Sequence, residues 1–541
     1  MTVLTRSRPV VAGRRAAVAS AHPLASNIGL DVLKSGGHAI DAVIAMAVAL
    51  GVVEPYMSGV GGVGFLLLHE ATGTTRVLNF CGNTPAAARP DLFTDDTKEH
   101  GIKAPLIPGN VAGWFEAHRQ YGRLPIDRLF APAIEFAEGG FPLHPFNVVM
   151  IASSMPRLNA PGRAIYSQVP LRIGAILRQT ELGQTLRQLA RVGPDYFYRG
   201  PVADRIDEFM RAEGGLITRD DLAGYRPDWE SPIAIDYRGL TVKTCPPNNE
   251  GFQILQTLKL LEAYDLAALG HNSAEYIHLL SETVKLAIAD RIQYAGDPKF
   301  HPVPLDRLLS PAYLEERRQL INRQRASHSE GERWRGAPQT STVPAGKVEG
   351  MTTHLSAIDE QGNVASITQS LGNGFGSGVA VPGTGVLLNS FAHWCEIAPD
   401  CPTPNVIAPG KRWAACMAPV HVFRPDDSGG QRFWFSVATP GSYGILHTTV
   451  QMLLNVIDFG ADCQAAIEAP RFRLWEGTRM QIENRVGLPV LQELSRRGHL
   501  LELLGDFNYV VGGGQAVMID PESGARLGGA DPRRDGYALA Y

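Results

Sequence analysis

A change of character near residue 351 constrains the fold of this chain more than any other feature. Residues 322–350 carry many charges together with Pro, Thr, Ser and Gly and few apolar anchors, which predicts a mobile or exposed segment. Directly after it, residues 353–358 are typical of a strand, and residues 364–370 are typical of the strand that returns. An exposed segment must therefore lead straight into a buried hairpin at Thr352.

Thr352 would acquire unusual chemistry if the Met351–Thr352 bond were cut. Its new α-amine would lie beside its own hydroxyl, so that one residue would hold both a nucleophile and a base. A free α-amine has an ordinary pKa of roughly 7.7–8.0, which suits proton transfer near neutrality. His354 is a second candidate base, but strand alternation turns its side chain away from its neighbours and favours a structural role.

The composition is that of an ordinary globular protein. The chain has 541 residues, of which 44% are hydrophobic and 19% are charged, enough for a large core or two domains. A net charge of −4 favours neither nucleic acid nor an anionic membrane as the main partner. The six cysteines show no C-x-x-C pair and no zinc spacing, so we expect them to be mostly reduced and buried.

Two further patterns concern the compartment of the protein. The first eight residues carry charge but no apolar stretch of signal-peptide length, so the cytoplasm is the expected location. The most apolar stretch, residues 39–53, contains Asp41 and is too short to cross a bilayer. We expect this stretch to form an internal helix instead.

Hydrophobic periodicity predicts several further elements. The predicted helices are residues 22–35, 39–53, 127–140, 182–191, 201–212 and one from a Ser273 cap to about residue 295. Residues 65–69 and 75–80 are predicted to form a hairpin. Residues 59–64 match G-x-G-x-x-G by letter, but here a helix precedes and a strand follows, the reverse of the order in a dinucleotide site. We interpret these glycines as sites of tight turns and close backbone approach.

Other catalytic patterns are absent from the sequence, which has no G-x-S-x-G elbow, no H-E-x-x-H and no G-K-[ST] phosphate loop. Instead, eight short motifs occur in order: Ala21-His22-Pro23-Leu24-Ala25-Ser26, Gly36-Gly37-His38-Ala39-Ile40-Asp41-Ala42, Val53-Glu54-Pro55, Pro108-Gly109-Asn110-Val111-Ala112-Gly113, Lys285-Leu286-Ala287-Ile288-Ala289-Asp290-Arg291, Thr352-Thr353-His354, Pro409-Gly410-Lys411-Arg412 and Thr439-Pro440-Gly441. Through these motifs the chain resembles the γ-glutamyltransferase family of N-terminal nucleophile hydrolases along nearly its whole length.

The resemblance implies an α+β fold, a four-layer αββα sandwich made as one precursor. The precursor would cut itself between Met351 and Thr352. Residues 1–351 would then form the large subunit and residues 352–541 the small subunit. The two would remain together as one globular heterodimer, which could associate into a larger oligomer.

The resemblance also implies the roles of individual residues. Thr352 would be the nucleophile and, through its freed amine, the base. Ser370 occupies the place of a hydroxyl residue bonded to the nucleophile, and Thr368 lies on the same strand face. The backbone N–H groups of Gly441 and Ser442 would form the oxyanion hole. No metal or organic cofactor is implied, because the chain itself supplies nucleophile, base and oxyanion donors.

The substrate pocket departs from the family pattern at five positions. Cys81 replaces the arginine that grips the substrate α-carboxylate, and Trp394 replaces the aspartate that holds the α-amine. Ala415 and Cys416 replace two serines, and Gly372 replaces an asparagine. Losing a charged anchor in a closed pocket weakens binding by several kcal/mol. The resemblance therefore predicts a substrate acyl group that is less charged, larger or flatter than glutamyl.

The sequence as a whole predicts a self-cleaving threonine amidohydrolase or acyltransferase that acts on a small-molecule amide. Water would be the acceptor, and transfer to an amine is possible. One alternative is a genuine γ-glutamyltransferase or glutathione hydrolase that uses different substrate anchors. The other alternative is an uncleaved, inactive protein that keeps the fold as a binding module.

Overall fold

The structure is a computed structural model, and it describes residues 7–327, 350–401, 403–426, 429–474 and 479–541. Of the segment predicted to be mobile or exposed, residues 328–349 lie outside the described residues, so the prediction is not tested there. Residues 322–327 are exposed or half-buried, and Gly350 is buried. The N-terminal pattern used to predict the compartment also falls mostly outside the described residues.

The described residues form 21 strands. In chain order they are β1 Val11–Gly13, β2 Ala17–Ser20, β3 Val63–His69, β4 Thr75–Phe80, β5 Phe141–Pro142, β6 Ile176–Leu177, β7 Asp228–Glu230, β8 Ile233–Tyr237, β9 Leu240–Thr244, β10 Met351–Ile358, β11 Val364–Gly372, β12 Ala380–Val381, β13 Val386–Leu387, β14 Val420–Pro425, β15 Gln431–Ala438, β16 Phe472–Leu474, β17 Arg479–Ile482, β18 Leu500–Leu503, β19 Gln515–Ile519, β20 Arg526–Ala530 and β21 Tyr537–Ala540.

The described residues also form 19 α-helices. They are α1 Pro23–Lys34, α2 Ala39–Val53, α3 Asp95–Glu99, α4 Asn110–Tyr121, α5 Ile126–Gly139, α6 Pro145–Ser154, α7 Ala160–Tyr166, α8 Thr180–Val192, α9 Asp195–Tyr198, α10 Pro201–Glu213, α11 Arg219–Gly224, α12 Phe252–Leu261, α13 Leu266–Leu269, α14 Ala274–Tyr294, α15 Leu305–Leu308, α16 Pro311–Arg318, α17 Gly444–Ile457, α18 Cys463–Glu468 and α19 Leu488–Arg496.

Two antiparallel sheets of seven strands form the centre of the molecule. The first sheet has the order β1-β20-β19-β15-β14-β9-β8, and the second has the order β21-β2-β10-β11-β3-β4-β7. The sheets pack face to face, because Ile358 and Val364 of the second sheet share one apolar cluster with Phe423 and Phe433 of the first. A hydrogen bond of 2.8 Å between Ser366 and Ser436 also crosses the interface.

Helices cover both outer faces of this pair of sheets. Helices α1, α2 and α5 pack with β10 and β11 of the second sheet around one apolar core. Helices α12, α14 and α17 pack with β14 and β15 of the first sheet around another. The four layers confirm the αββα sandwich of N-terminal nucleophile hydrolases.

Residues on either side of position 351 contribute to both sheets. The earlier part supplies β1, β8 and β9 of the first sheet and β2, β3, β4 and β7 of the second. The later part supplies the remaining seven strands. A chain cut at residue 351 would therefore leave two pieces joined by the backbone hydrogen bonds of two sheets.

The elements predicted from periodicity are confirmed, with shifts of one or two residues at their ends. They are α1, α2, α5, α8, α10, α14, the hairpin β3–β4 and the hairpin β10–β11. Every residue of α2 is buried, and its Asp41 accepts the backbone N–H of His38, which caps the helix start. No helix among the described residues has the length and apolar character needed to span a membrane.

No element beyond residue 378 is predicted from periodicity, yet that region contains most of the first sheet and α17. The reason is visible in α17, where every residue from Gly444 to Val456 is buried. The buried residues include five polar ones, so polar positions in this helix do not mark a stripe that faces solvent. Strands such as β19, buried along nearly their full length, likewise show no alternation.

Candidate active site

Thr352 lies near the start of β10, inside the second sheet. It pairs in register with Ser370 of β11, and the register shifts between Met351 and Thr352. Both Thr352 and Ser370 are at most 4% exposed. At this irregularity, the Met351 carbonyl and the Thr352 hydroxyl both face the hydroxyl of Ser370.

The Ser370 hydroxyl connects the candidate nucleophile to the bond that precedes it. It accepts a hydrogen bond of 3.2 Å from Thr352 Oγ1 and donates one of 2.7 Å to the carbonyl oxygen of Met351. It also accepts the N–H of Gly372 at 2.8 Å, which fixes its rotamer. With one donor and two acceptor sites in use, this hydroxyl is held in one orientation.

The glycine stretch at residues 59–64 supports the same strand. A Cβ atom added to Gly62 would lie 2.5 Å from the carbonyl oxygen of Ser370, so a side chain at this position would displace β11. The interpretation of these glycines as points of close backbone approach is confirmed.

Side chains from two other segments hold Thr352 and Thr353. Arg534 Nη1 donates to the carbonyl oxygen of Thr352 at 3.2 Å, and Thr353 Oγ1 donates to Glu54 Oε2 at 3.0 Å. Burial raises the pKa of Glu54 to about 8, although Thr353 and Arg534 oppose the shift. Glu54 is therefore largely a neutral acid at neutral pH.

Thr368 and His354 form the next cross-strand pair along the hairpin. His354 Nδ1 and Thr368 Oγ1 are 2.8 Å apart, and His354 Nε2 is 3.1 Å from Ser356 Oγ. Burial lowers the pKa of His354 to about 3. Thr368 lies on the same strand face as Ser370, but its hydroxyl contacts His354 and not Thr352. Because residues 352 and 354 are two apart, they share a face of β10, which the alternation argument for His354 overlooked.

Gly441 and Ser442 lie in the turn between β15 and α17. Both have positive φ, +134° and +55°, and the second is a conformation that non-glycine residues seldom adopt. Gly350 lies against this turn, since a Cβ atom added to Gly350 would be 2.5 Å from Ser442 Cβ. The turn therefore lies beside the chain just upstream of the Met351–Thr352 bond, before the N-terminus of a long helix that favours negative charge.

Comparison with known proteins identifies the family. A sequence profile described as gamma-glutamyltranspeptidase matches residues 25–541. The glutathione hydrolase proenzyme of Bacillus subtilis (strain 168) is 35% identical over 98% of this chain and 92% of its own length. The acylase ACY 1 proenzyme of Pseudomonas sp. (strain SE83) is 35% identical over 99% of this chain and 95% of its own length. The chain belongs to the gamma-glutamyltranspeptidase family.

A solved structure agrees with this assignment. The cephalosporin acylase from Bacillus halodurans superimposes with a TM-score of 0.89 and 32% sequence identity, over 100% of this chain and 98% of that one. The chain is therefore an enzyme of the gamma-glutamyltranspeptidase family with the N-terminal nucleophile hydrolase fold. Its named relatives include both glutathione hydrolases and acylases.

Four of the five predicted pocket positions lie together in this family member. Cys81, Trp394 and Ala415 belong to one buried apolar cluster. Gly372 adjoins it, because a Cβ atom added there would lie 3.1 Å from Trp394 Cζ3. Burial raises the pKa of the Cys81 thiol to about 12, so this sulfur is uncharged. Gly372, two residues beyond Ser370 on β11, is therefore the point where the hydrogen bonds of Ser370 meet the apolar cluster.

Cys416 belongs to a different environment. It packs in the core beneath the α12, α14 and α17 layer, and burial holds the pKa of its thiol above the ordinary value. Arg291 and Glu250 exert charge effects on this thiol, and they form an ion pair of 3.2 Å between Nη1 and Oε1. Arg291 also stacks over Tyr443, with its guanidinium carbon 3.8 Å from the ring centroid.

Sequence reasoning did not single out the charged groups that lie near the pocket. Arg291 ends the motif at residues 285–291, and Arg412 ends the motif at residues 409–412. Arg412 influences the Cys81 thiol and bonds to Asp228 at 2.8 Å and to Glu230 at 3.3 Å. Both arginines were visible as motif ends, but neither spacing nor periodicity indicates where their side chains reach.

Among the described residues, the one cluster with metal-ligand spacing consists of His278, Glu282 and His499. None of the three belongs to the hydrogen-bond network around Thr352. The chemistry available at Thr352 is that of hydroxyls, backbone N–H groups, a neutral carboxylic acid and an arginine.

Proposed function

We propose that the chain is a self-cleaving threonine-nucleophile amidohydrolase that hydrolyses a small-molecule amide through a Thr352 ester. The observation that carries this proposal is the Ser370 hydroxyl, which is bonded to both Thr352 Oγ1 and the Met351 carbonyl. It joins the attacking atom and the carbonyl to be attacked in a dry, buried site.

The cleavage step begins with Thr352 Oγ1 adding to the carbonyl carbon of Met351. Negative charge develops on the Met351 oxygen, which already accepts the Ser370 hydroxyl at 2.7 Å. The carbon–nitrogen bond then breaks, and the proton lost from Oγ1 ends on the Thr352 nitrogen. Water opens the resulting ester, leaving residues 1–351 with a carboxylate and residues 352–541 with a free Thr352 amine.

The mature enzyme would repeat this attack on a substrate amide. The Thr352 amine takes the proton from Oγ1 as the hydroxyl attacks, and it delivers that proton to the departing amine. An acyl ester on Thr352 remains, and water or an acceptor amine then releases the acyl group. Self-cleavage thus produces the free Thr352 amine that acts as the base of the second reaction, beside the hydroxyl that acts as its nucleophile.

The backbone N–H groups of Gly441 and Ser442 are the oxyanion donors we propose for the substrate reaction. They lie in a turn before the N-terminus of α17, where the helix dipole favours negative charge. Gly350 packs against Ser442 before cleavage, so the new end of the large subunit must withdraw before a substrate can enter. Cleavage would then both release the amine and vacate the space beside the oxyanion donors.

The apolar cluster supports a substrate whose acyl group lacks the charges of glutamyl. Trp394 and Ala415 offer carbon surface, and the buried Cys81 thiol is neutral. An α-carboxylate or α-ammonium placed against this surface would lose its hydration without gaining an ionic partner. We therefore propose a flat or apolar acyl group as the preferred substrate.

A second candidate is a γ-glutamyl substrate held by different anchors, and one observation favours it. The Glu250–Arg291 pair lies next to Cys416 and Tyr443. Within the part of the chain that the structure describes, Glu250 Oε2 and Arg291 Nε have no hydrogen-bond partner. One group of each sign could hold an α-ammonium and an α-carboxylate. Burial raises the pKa of Glu250 to about 7, although Arg291 opposes the shift, so its charge would depend on pH.

The test of self-cleavage uses Thr352→Ala and Thr352→Ser as a matched pair. We expect the wild type and Thr352→Ser to yield a fragment that begins at residue 352, because both retain a hydroxyl. Thr352→Ala should remain a single chain without turnover. Intact mass and N-terminal sequencing read the outcome. A fully cut Thr352→Ala protein would remove Thr352 from the proposed role, and an intact wild type after long incubation would favour an uncleaved binding protein.

The test of substrate class uses four anilides with the cut enzyme: γ-glutamyl, glutaryl, butyryl and phenylacetyl. The first carries both charges, the second only a carboxylate, and the last two neither. We expect the uncharged pair to be turned over with the higher kcat/KM. A preference for γ-glutamyl anilide that Arg291→Gln abolishes, with butyryl turnover unchanged, would establish the second candidate instead.

A further inference from the structure

Three potential metal ligands converge at a point between α14 and the start of β18. His278 and Glu282 are one helical turn apart on α14, and His499 directly precedes β18. A ring nitrogen of each histidine and a carboxylate oxygen of Glu282 all lie within 4.8 Å of one another. The three residues are at most 2% exposed, so none of them is a chance neighbour on the surface.

The hydrogen bonds of His278 fix which of its ring atoms faces this point. Its Nε2 lies 2.8 Å from the backbone carbonyl of Asn322, which can only accept, so Nε2 carries the proton. Its Nδ1 is therefore unprotonated, and the lone pair of this atom faces His499 Nε2 at 2.8 Å. A ligating histidine whose other nitrogen donates to a backbone carbonyl is the usual arrangement at protein metal sites.

Glu282 is oriented in a comparable way. Ser327 donates its backbone N–H to Oε2 at 3.0 Å, and Lys285 Nζ lies 2.6 Å from Oε1. A carboxylate has about four lone-pair positions, so both oxygens retain capacity for a further bond. The side chain is thus held in place on a rigid helix.

We propose that His278, Glu282 and His499 bind one zinc ion with a structural role. Two imidazoles and a carboxylate are ligands that suit zinc, and water can complete four-fold coordination. Zinc–nitrogen bonds of about 2.0–2.1 Å in tetrahedral geometry place two ligand nitrogens roughly 3.3 Å apart. The histidine pair therefore opens by about half an ångström as the ion enters.

The proton between the two histidines must move when the ion binds. In the hydrogen-bonded pair, His499 Nε2 carries that proton and donates it to His278 Nδ1. His499 Nδ1 is buried without a hydrogen-bond partner among the described residues. The proton passes to this atom, directly or through solvent, so that His499 remains neutral and Nε2 becomes a ligand.

Positive charge nearby sets the expected affinity. The Lys285 ammonium lies 2.6 Å from Glu282, so its charge opposes the binding of a cation. We therefore expect binding on the order of micromolar, weaker than the closed four-ligand sites of zinc fingers. Magnesium, which prefers six oxygen ligands, should not bind detectably.

The zinc site would join parts of the molecule that lie before and after residue 351. His278 and Glu282 belong to the earlier part, and His499 belongs to the later part. Asn322 and Ser327, which hold two of the ligands, are close to the last described residue before position 328. If Thr352 is released as proposed above, the ion would bridge the two subunits; binding of the ion itself does not depend on that cleavage.

The experiment compares the chelator-treated, dialysed full protein with two variants, His499→Gln at the site and His301→Gln at an exposed control histidine. After equilibrium dialysis against zinc chloride at about ten times the expected dissociation constant, elemental analysis should find about one zinc per chain above the buffer level in the wild type and His301→Gln. His499→Gln should retain at most a tenth of that amount. Titration calorimetry with zinc alone should give one site, and magnesium should give none.

Two measurements keep the result decisive if His499→Gln folds poorly. Zinc should raise the unfolding temperature of the wild type by at least about 1 °C at saturating concentration. Cobalt in place of zinc should show the visible absorption of a four-coordinate ion. The proposal is overturned if the wild type keeps less than a tenth of an equivalent, or if zinc uptake and thermal shift are the same in His499→Gln and His301→Gln.

Discussion

The two sides of the active site are built from different materials. Around the Met351–Thr352 bond, Ser370 makes three hydrogen bonds, and Arg534 and Glu54 hold the neighbouring residues. On the side proposed to hold the acyl group, Trp394, Cys81 and Ala415 form an apolar cluster with an uncharged sulfur. The first side is a polar network with little freedom to change, and the second is an apolar cluster that could be exchanged residue by residue.

This difference separates the groups that would carry out the chemistry from the groups that would select the substrate. Breaking an amide requires groups that stabilise charge as it develops, and each depends on the position of the others. Selecting an acyl group requires only contacts with a part of the substrate that does not react. Proteins named glutathione hydrolase and acylase are each 35% identical to this chain over nearly its whole length, as expected if one scaffold can serve different acyl groups.

Among the changes that leave Thr352 in place, the largest effect should come from Ser370→Ala, which removes the donor to the Met351 carbonyl. Loss of one oxyanion donor slows acyl transfer by about 10²–10³-fold, and we expect self-cleavage to slow by that factor. The rate is measured from the appearance of the fragment beginning at Thr352 on a denaturing gel. A Ser370→Ala protein that matures as fast as the wild type would exclude Ser370 from the reaction.

Thr368→Val is the matched control for that experiment. Thr368 lies two residues away on the same strand face, but its hydroxyl bonds to His354. Its loss should cost stability of about 1 kcal/mol and leave the rate of cleavage within a factor of about three. Equal slowing in Thr368→Val and Ser370→Ala would show that the strand, and not the Ser370 hydroxyl, governs the reaction.

A second prediction concerns Glu54, the buried acid on the polar side. Its pKa is near 8 when folded and lies near 4.5 when unfolded, so the folded protein binds the extra proton between these values. This contribution to stability is complete below pH 4.5 and is lost as pH rises through 8. Between pH 6 and pH 8 the wild type should lose about 2 kcal/mol relative to Glu54→Gln, which resembles the protonated acid.

The comparison is made by urea unfolding of both proteins at pH 6, 7 and 8, with the chain kept uncleaved by Thr352→Ala in both. As pH increases from 6 to 8, the free energy of unfolding of the protein with Glu54 should fall relative to that of the Glu54→Gln protein. A difference that stays constant would mean that Glu54 is ionised in the folded state. The Thr353–Glu54 contact would then be a charged hydrogen bond and the polar side of the site would carry a negative charge.

A third prediction tests the apolar side with Trp394→Phe. The Trp394 indole N–H has no hydrogen-bond partner among the described residues, so the change removes volume and flat surface without leaving a polar group unpaired. We expect kcat/KM for a large flat acyl anilide to fall about tenfold, or about 1.4 kcal/mol, with self-cleavage unchanged. Trp434→Phe, at another buried tryptophan in the opposite core, should change neither rate.

Much of the fold could be predicted from the sequence, because several elements show a clear hydrophobic periodicity or are bounded by capping and turn residues. The Ser273 cap, the turn at residues 359–363 and the two glycines before α2 mark boundaries that the structure places within two residues. The later strands of the first sheet and α17 could not be predicted in the same way. These elements are largely buried, and their polar residues, such as His447 and Gln451 of α17, do not mark a face toward solvent.

The candidate site likewise contains some contacts that the local sequence predicts and others that it does not. The pairing of Thr352 with Ser370 follows from a short hairpin, whose turn fixes the register, and the structure brings the two hydroxyls together. Glu54 and Arg534 contact Thr353 and Thr352 from segments distant in sequence, at separations that no local pattern encodes. Their positions depend on how the layers pack, which only the folded chain shows.

The smallest effect should come from Cys416→Ala, set against Cys81→Ala. Cys416 packs in the core beneath the outer helices, and Cys81 packs with Trp394 on the acyl side. Each change removes one buried sulfur and should cost about 1 kcal/mol of stability. Only Cys81→Ala should alter the ratio of kcat/KM between butyryl and phenylacetyl anilides, by about threefold, because only that sulfur borders the proposed acyl pocket. If Cys416→Ala shifts this ratio of kcat/KM as much, the pocket extends toward Arg291. A charged substrate would then be the better interpretation of the site.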